Sequence, residues 1–95
     1  MASSDNSFIG DLLSEARQSR LINEDSIDYV KQNKDMDEAV MDELQEKMDD
    51  LQLYITVLDA VAEEYDDPKL VREITAMVRK SQQTLADLTD ALNEK

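Results

Sequence analysis

Glu63 and Glu64, followed by Asp66 and Asp67, gather four carboxylates into one short stretch. Carboxylate oxygens are the hard ligands that calcium and magnesium select, so a divalent-cation site is the one metal chemistry this pattern could support. The spacing is not that of a calcium loop, and ordinary helix-end and turn roles account for the same residues, so no metal is expected. The chain has no His and no Cys. That removes the usual general base, the commonest transition-metal ligand, every thiolate site and any disulfide framework. The Ser and Thr residues therefore have no imidazole with which to build a hydrolytic triad. A lysine-assisted nucleophile remains formally open, but no pocket is implied for it. With a single Gly, there is no glycine-rich phosphate loop. The expectation is a protein that is not an enzyme, with no catalytic, cofactor-binding or metal-binding residue.

The elements that carry these residues are written in an apolar rhythm. Met41, Leu44, Met48, Leu51, Ile55, Leu58, Ala62 and Tyr65 alternate in steps of three and four. Val71, Ile74, Val78, Ser81, Leu85, Leu88 and Leu92 repeat that alternation beyond Asp66-Asp67-Pro68. A 3-4 alternation keeps one seam of a helix turned to a partner, so the pattern predicts two long helices folded at the proline in a coiled-coil-like hairpin. Proline suits the first position of a helix and disfavours helical angles in the residue before it, which makes Asp67 the expected cap of the last helix. A turn this short predicts antiparallel packing.

Upstream the signals are weaker. Residues 1–6 are polar and expected to fray, and Ser7 could cap a helix over about 8–20 carrying Phe8, Ile9, Leu12, Leu13 and Ala16 on one stripe. Gly10 weakens that helix by about 1 kcal/mol relative to Ala. Asn23 is a plausible cap for a second short helix, Glu24 to Gln32, with Ile27 and Val30 inward. Asn33-Lys34 breaks the pattern. Asp35 with Glu38 resembles a capping box for the first long helix. The organisation expected is residues 1–34 as short N-terminal helices and 35–95 as the long hairpin, turning at 66–68.

Composition agrees with an all-α chain. Ninety-five residues suit one small domain, 35% of residues are charged, and only 4% are aromatic, so the core must be aliphatic. A chain of this size buries only roughly two-thirds of the surface its unfolded form exposes. No apolar run reaches the roughly 20 residues needed to span a bilayer. The first residues lack the basic and apolar regions of a signal peptide, which makes the cytoplasm, or the host cytoplasm for a viral protein, the expected location.

Both long helices are apolar on more than one stripe. Leu53, Val57 and Val61 fall beside the seam of the first; Leu70, Met77 and Ala91 fall beside the seam of the second. A hairpin needs one buried stripe per helix, so two stripes each imply a second contact surface. Residues 8–30 could fill it, or another subunit could. On the second alternative, Leu53, Val57, Val61, Leu70, Val71 and Ile74 become candidates for an oligomer or partner interface. So do Met77, Val78, Ser81, Leu85, Leu88 and Leu92. Ser81 stands alone as a polar residue in an apolar seam: it either sets register or subunit number, or marks a stretch that faces water where the helices diverge.

Net charge is -13. Acid crowds the first long helix at Asp42, Glu43, Glu46, Asp49 and Asp50, against Lys47. Arg72 and Arg79 lie seven apart on the last helix. These residues are the candidate charge contacts. Charge of this size repels nucleic acid and anionic membrane, and serves solubility, mimicry of a nucleic-acid backbone, or docking on a basic partner. Lys69, Arg72 and Arg79 could share a face that repeats as a basic stripe in a ring touching DNA; a solvated helix face is the plainer reading.

One resemblance rests on these residues. The run Leu58-Asp59-Ala60-Val61-Ala62-Glu63-Glu64-Tyr65-Asp66-Asp67-Pro68, then Val71 to Val78, then Gln83-Thr84-Leu85-Ala86-Asp87-Leu88, resembles the oligomerisation hairpin of small terminase subunits of myovirus-type tailed phages. The resemblance covers a little over half the chain, from about residue 39 to 93. It implies a ring-forming, non-catalytic part of a phage DNA-packaging motor, a homo-oligomer that regulates a large motor subunit. By the same resemblance Val71, Ile74, Val78, Leu85 and Leu88 would line the interface. The N-terminal third departs from the family in having no basic DNA-reading helix. Two other protein–protein roles fit the composition: an acidic inhibitor or adaptor that masks a basic site, and a secretion-type chaperone that shields a helix of its client.

Overall fold

The computed structural model describes residues 2–33 and 35–94, with side chains described from Phe8 onward. Three helices account for almost all of it: α1 (Ala2–Gln32), α2 (Glu38–Glu64) and α3 (Pro68–Asn93). No strand occurs among the described residues. The molecule is a rod of 51 × 19 × 16 Å in which every helix contacts the other two.

The ends of the two later helices follow from local chemistry. Asp37, in extended conformation, accepts a hydrogen bond from the Val40 backbone N–H at 2.9 Å and so satisfies one of the free donors of α2. The cap thus falls two residues after Asp35, where the capping-box pattern had placed it. Asp67 accepts from the Lys69 N–H at 3.1 Å, and Pro68 occupies the first turn of α3. Tyr65, the C-cap of α2, is extended, and the chain turns through Asp66.

The N-terminal region departs from expectation. It is one continuous 31-residue helix rather than one or two short ones, and it begins at Ala2, ahead of Ser7. Asn23 caps nothing. It is fully buried in mid-helix, where its Nδ2 donates to the Ser19 carbonyl at 2.9 Å and to the Lys47 carbonyl of α2 at 3.1 Å. The helix ends where Asn33 leaves helical geometry; Lys34 lies outside the described residues.

Two apolar layers hold the helices together. The larger joins Ile9, Leu12 and Ala16 of α1 to Leu51, Ile55 and Leu58 of α2 and Ile74 and Val78 of α3. The smaller joins Val30, Leu44, Leu88 and Ala91. Apart from Leu53, the second stripes are therefore packed inside the chain, in or against layers that α1 helps to form. Leu70 and Met77 pack partly buried against the larger layer, Thr84 is buried, and Ala91 belongs to the smaller layer.

Polar residues lie between the layers along α1 and α3: Asn23, Ser26, Ser81 and Thr84 are all buried. Ser26 donates to the Ile22 carbonyl, and Thr84 donates to the Lys80 carbonyl and reaches Glu24 Oε1 at 3.5 Å. Glu24 also pairs with Arg20. Ser81 thus does not face water, although Gln82 and Gln83 beside it do. Burial of this kind is tolerated when the groups find partners. The Arg20 Nε, Asn23 Oδ1 and Ser81 Oγ atoms have none among the described residues.

Gly10 offers a direct check on α1. It is exposed within the helix, and a Cβ placed there would meet nothing within 4 Å. Alanine should therefore gain helix propensity without strain. Gly10→Ala is expected to raise stability by about 0.5–1 kcal/mol in denaturant titration. A loss of stability would mean that the chain is not an unobstructed helix at this position.

Candidate partner-binding groove

The candidate site is a channel between α1 and α2. Two adjoining hollows, of about 440 and 290 Å³, share Ile22 and Lys47. The larger is lined on α1 by Ile22, Asp25, Ser26 and Tyr29 and on α2 by Val40, Glu43, Leu44 and Lys47. The smaller continues along Glu15, Gln18 and Ser19 of α1 and Asp50 and Tyr54 of α2.

Helical geometry explains why these residues converge. Ile22 and Tyr29 are seven apart, two turns along one side of α1. They flank the buried seam that runs through Asn23, Ser26 and Val30, which leaves them at its edge, 47% and 45% exposed. On α2, Val40, Glu43, Lys47, Asp50 and Tyr54 recur at three and four, beside the buried Leu44 and Leu51. The larger hollow is thus mainly aliphatic and aromatic, the smaller one more polar with Gln18 and Ser19, and the channel carries the carboxylates of Glu15, Asp25, Glu43 and Asp50. Among the described residues the one amine on the rim, Lys47 Nζ, lies 3.9 Å from Glu43 Oε1. Lys47–Glu43 and Arg20–Glu24 are the two ion pairs among the described residues, so most surface acid is uncompensated.

The candidate interface residues separate sharply by position. Ile74, Val78, Ser81 and Leu88 are buried within the single chain, which leaves no surface on them for a second one. Val57, Val61, Leu70, Val71, Met77, Leu85 and Leu92 are half-buried, and all but Val71 pack against one of the two apolar layers. Leu53 alone stands open, 63% exposed. Among the candidate charge contacts, Glu43 and Asp50 enter the groove, while Asp42, Glu46 and Asp49 are exposed outside it. Arg72 and Arg79 are exposed on α3, away from the groove lining.

The groove residues Ile22, Tyr29 and Val40 were not singled out as an interface by sequence reasoning. Their signal was present as apolar residues one step off a helical seam, but the α1 seam beside Ile22 and Tyr29 was hidden by Asn23 and Ser26. Among the described residues, no group of three or more acidic side chains is arranged to hold a metal ion, and Asp67 is engaged as a helix cap. No helix among them is long and apolar enough to cross a membrane. No protein family, curated protein or solved structure matches the chain. Function must therefore be argued from this geometry.

Proposed function

We propose that this chain is a non-enzymatic acidic adaptor or inhibitor that binds a basic protein partner. One observation carries the reading: all of the second apolar stripes of α2 and α3 except Leu53 pack in or against layers that α1 helps to form, so the surfaces that sequence reasoning offered to other subunits are largely spent inside the chain. On the α1–α2 face Ile22 and Tyr29 stay exposed among the carboxylates of Glu15, Asp25, Glu43 and Asp50, of which only Glu43 lies near a lysine. That combination favours a partner of opposite charge, because complementary potentials speed encounter and suppress wrong partners.

We read the finer architecture as an antiparallel α2–α3 hairpin with α1 laid along it. Core residues ascend from 9 to 30 in α1 and from 74 to 91 in α3 while they descend from 58 to 44 in α2. A second reading, the ring-forming subunit of a phage packaging motor, draws on Leu53, an exposed leucine on α2 with Val57 and Val61 beside it.

Absolute mass by light scattering, at low and high salt, separates the two. The adaptor reading expects a monomer or dimer under both conditions. A discrete assembly of many subunits that survives both would overturn it in favour of the ring.

A further inference from the structure

We propose that the α1–α2 groove receives an amphipathic helix of about four turns whose apolar stripe is flanked by Lys or Arg; this deepens, and rests on, the adaptor reading. The length follows from the lining. It runs from Glu15 to Tyr29 on α1 and from Val40 to Tyr54 on α2, about 21 Å on each side at 1.5 Å per residue.

The shape favours a helix. A channel between two packed helices accepts the ridge of a third. Both walls are helices whose backbone groups are bonded internally, so an added strand would find no ladder to join. Ile22 and Tyr29, two turns apart, match anchors recurring at similar spacing on an incoming helix. The charge is set by the rim, where, among the described residues, Glu15, Asp25, Glu43 and Asp50 accompany a single amine already close to a carboxylate.

A second copy of the chain fits poorly. Each copy carries -13, so approach is opposed. The outward face of α3 does present Arg72 and Arg79, but between them it exposes only Glu73 and Ala76, with no large apolar side chain to enter the groove.

The test uses the full chain and a synthetic 16-residue helical peptide with leucines on one stripe and lysines beside it, followed by fluorescence anisotropy at low and high salt. The wild-type chain is expected to bind it, with affinity falling as salt rises. A peptide with Glu in place of each Lys is expected not to bind. Ile22→Ser combined with Tyr29→Ser is expected to weaken binding roughly tenfold or more, since each removes an anchor's burial. Both residues are half exposed, so the fold should survive, as circular dichroism would confirm. Glu43→Lys tests the rim independently and should weaken binding without touching the floor.

Salt-sensitive binding that is indifferent to both variants would overturn the groove and leave the adaptor reading intact. No binding even at low salt would overturn both. A dimer that Ile22→Ser converts to a monomer would overturn the proposal and assign the groove to a second copy.

Discussion

Leu58→Ala is expected to destabilise the protein by about 3 kcal/mol, lowering the melting temperature by roughly 12–24 °C. Leu58 is 0% exposed and belongs to the layer in which all three helices meet. Truncation removes the transfer energy of three heavy atoms and leaves a cavity that three rigid helices cannot easily close. Leu53→Ala, on the same helix but 63% exposed, is the matched control and should change stability by no more than about 0.5 kcal/mol. Thermal unfolding followed by circular dichroism measures both. Equal, large losses would show that Leu53 is covered in solution by a second chain, which would revive the ring reading.

Ser81 gives the second large effect, and its sign is informative. Leucine at a seam position would be expected to stabilise a loose helical interface. In this structure Ser81 is 0% exposed, in the buried polar stretch between the two apolar layers, so leucine must be forced into filled space. Ser81→Leu is expected to destabilise by about 1–3 kcal/mol through overpacking. Ser81→Ala should be neutral or stabilise by up to about 1 kcal/mol, because the buried hydroxyl it removes has no partner among the described residues. Denaturant titration of both variants, with light scattering alongside, checks the pair. Stabilisation by leucine would mean that α1 does not close over this position. A change in subunit number would show that Ser81 sets oligomeric state.

The sequence was most informative where apolar spacing was unbroken. Leu44, Leu51, Ile55 and Leu58 are the buried residues of α2, and all lie on the predicted seam; so do Ile74, Val78, Ser81 and Leu88 on α3. The helix breaks at Asn33 and at Asp66-Asp67 were legible because capping and proline chemistry are local. The failure was in α1. Ile9, Leu12, Ala16, Ser19, Asn23, Ser26 and Val30 alternate three and four as strictly as either later helix, and six of the seven are buried. Three of them are polar, so a reading keyed to hydrophobicity saw two fragments and a cap. Asn23 is the instructive case. Its type suits a helix start, but a carbonyl on a neighbouring helix, 24 residues away, gives it a buried partner instead.

The sequence by itself determined that this protein is all-helical, where its two later helices lie, and that it has no residues for imidazole or thiolate chemistry. Those are consequences of short-range periodicity, capping and composition. Only the tertiary structure decided that α1 is a single helix, that the second stripes apart from Leu53 pack inside the chain, and that an acidic groove with apolar side chains opens beside it. Those outcomes depend on which stripe each helix presents to the other two, and a buried polar residue is stable only once a distant partner is in place.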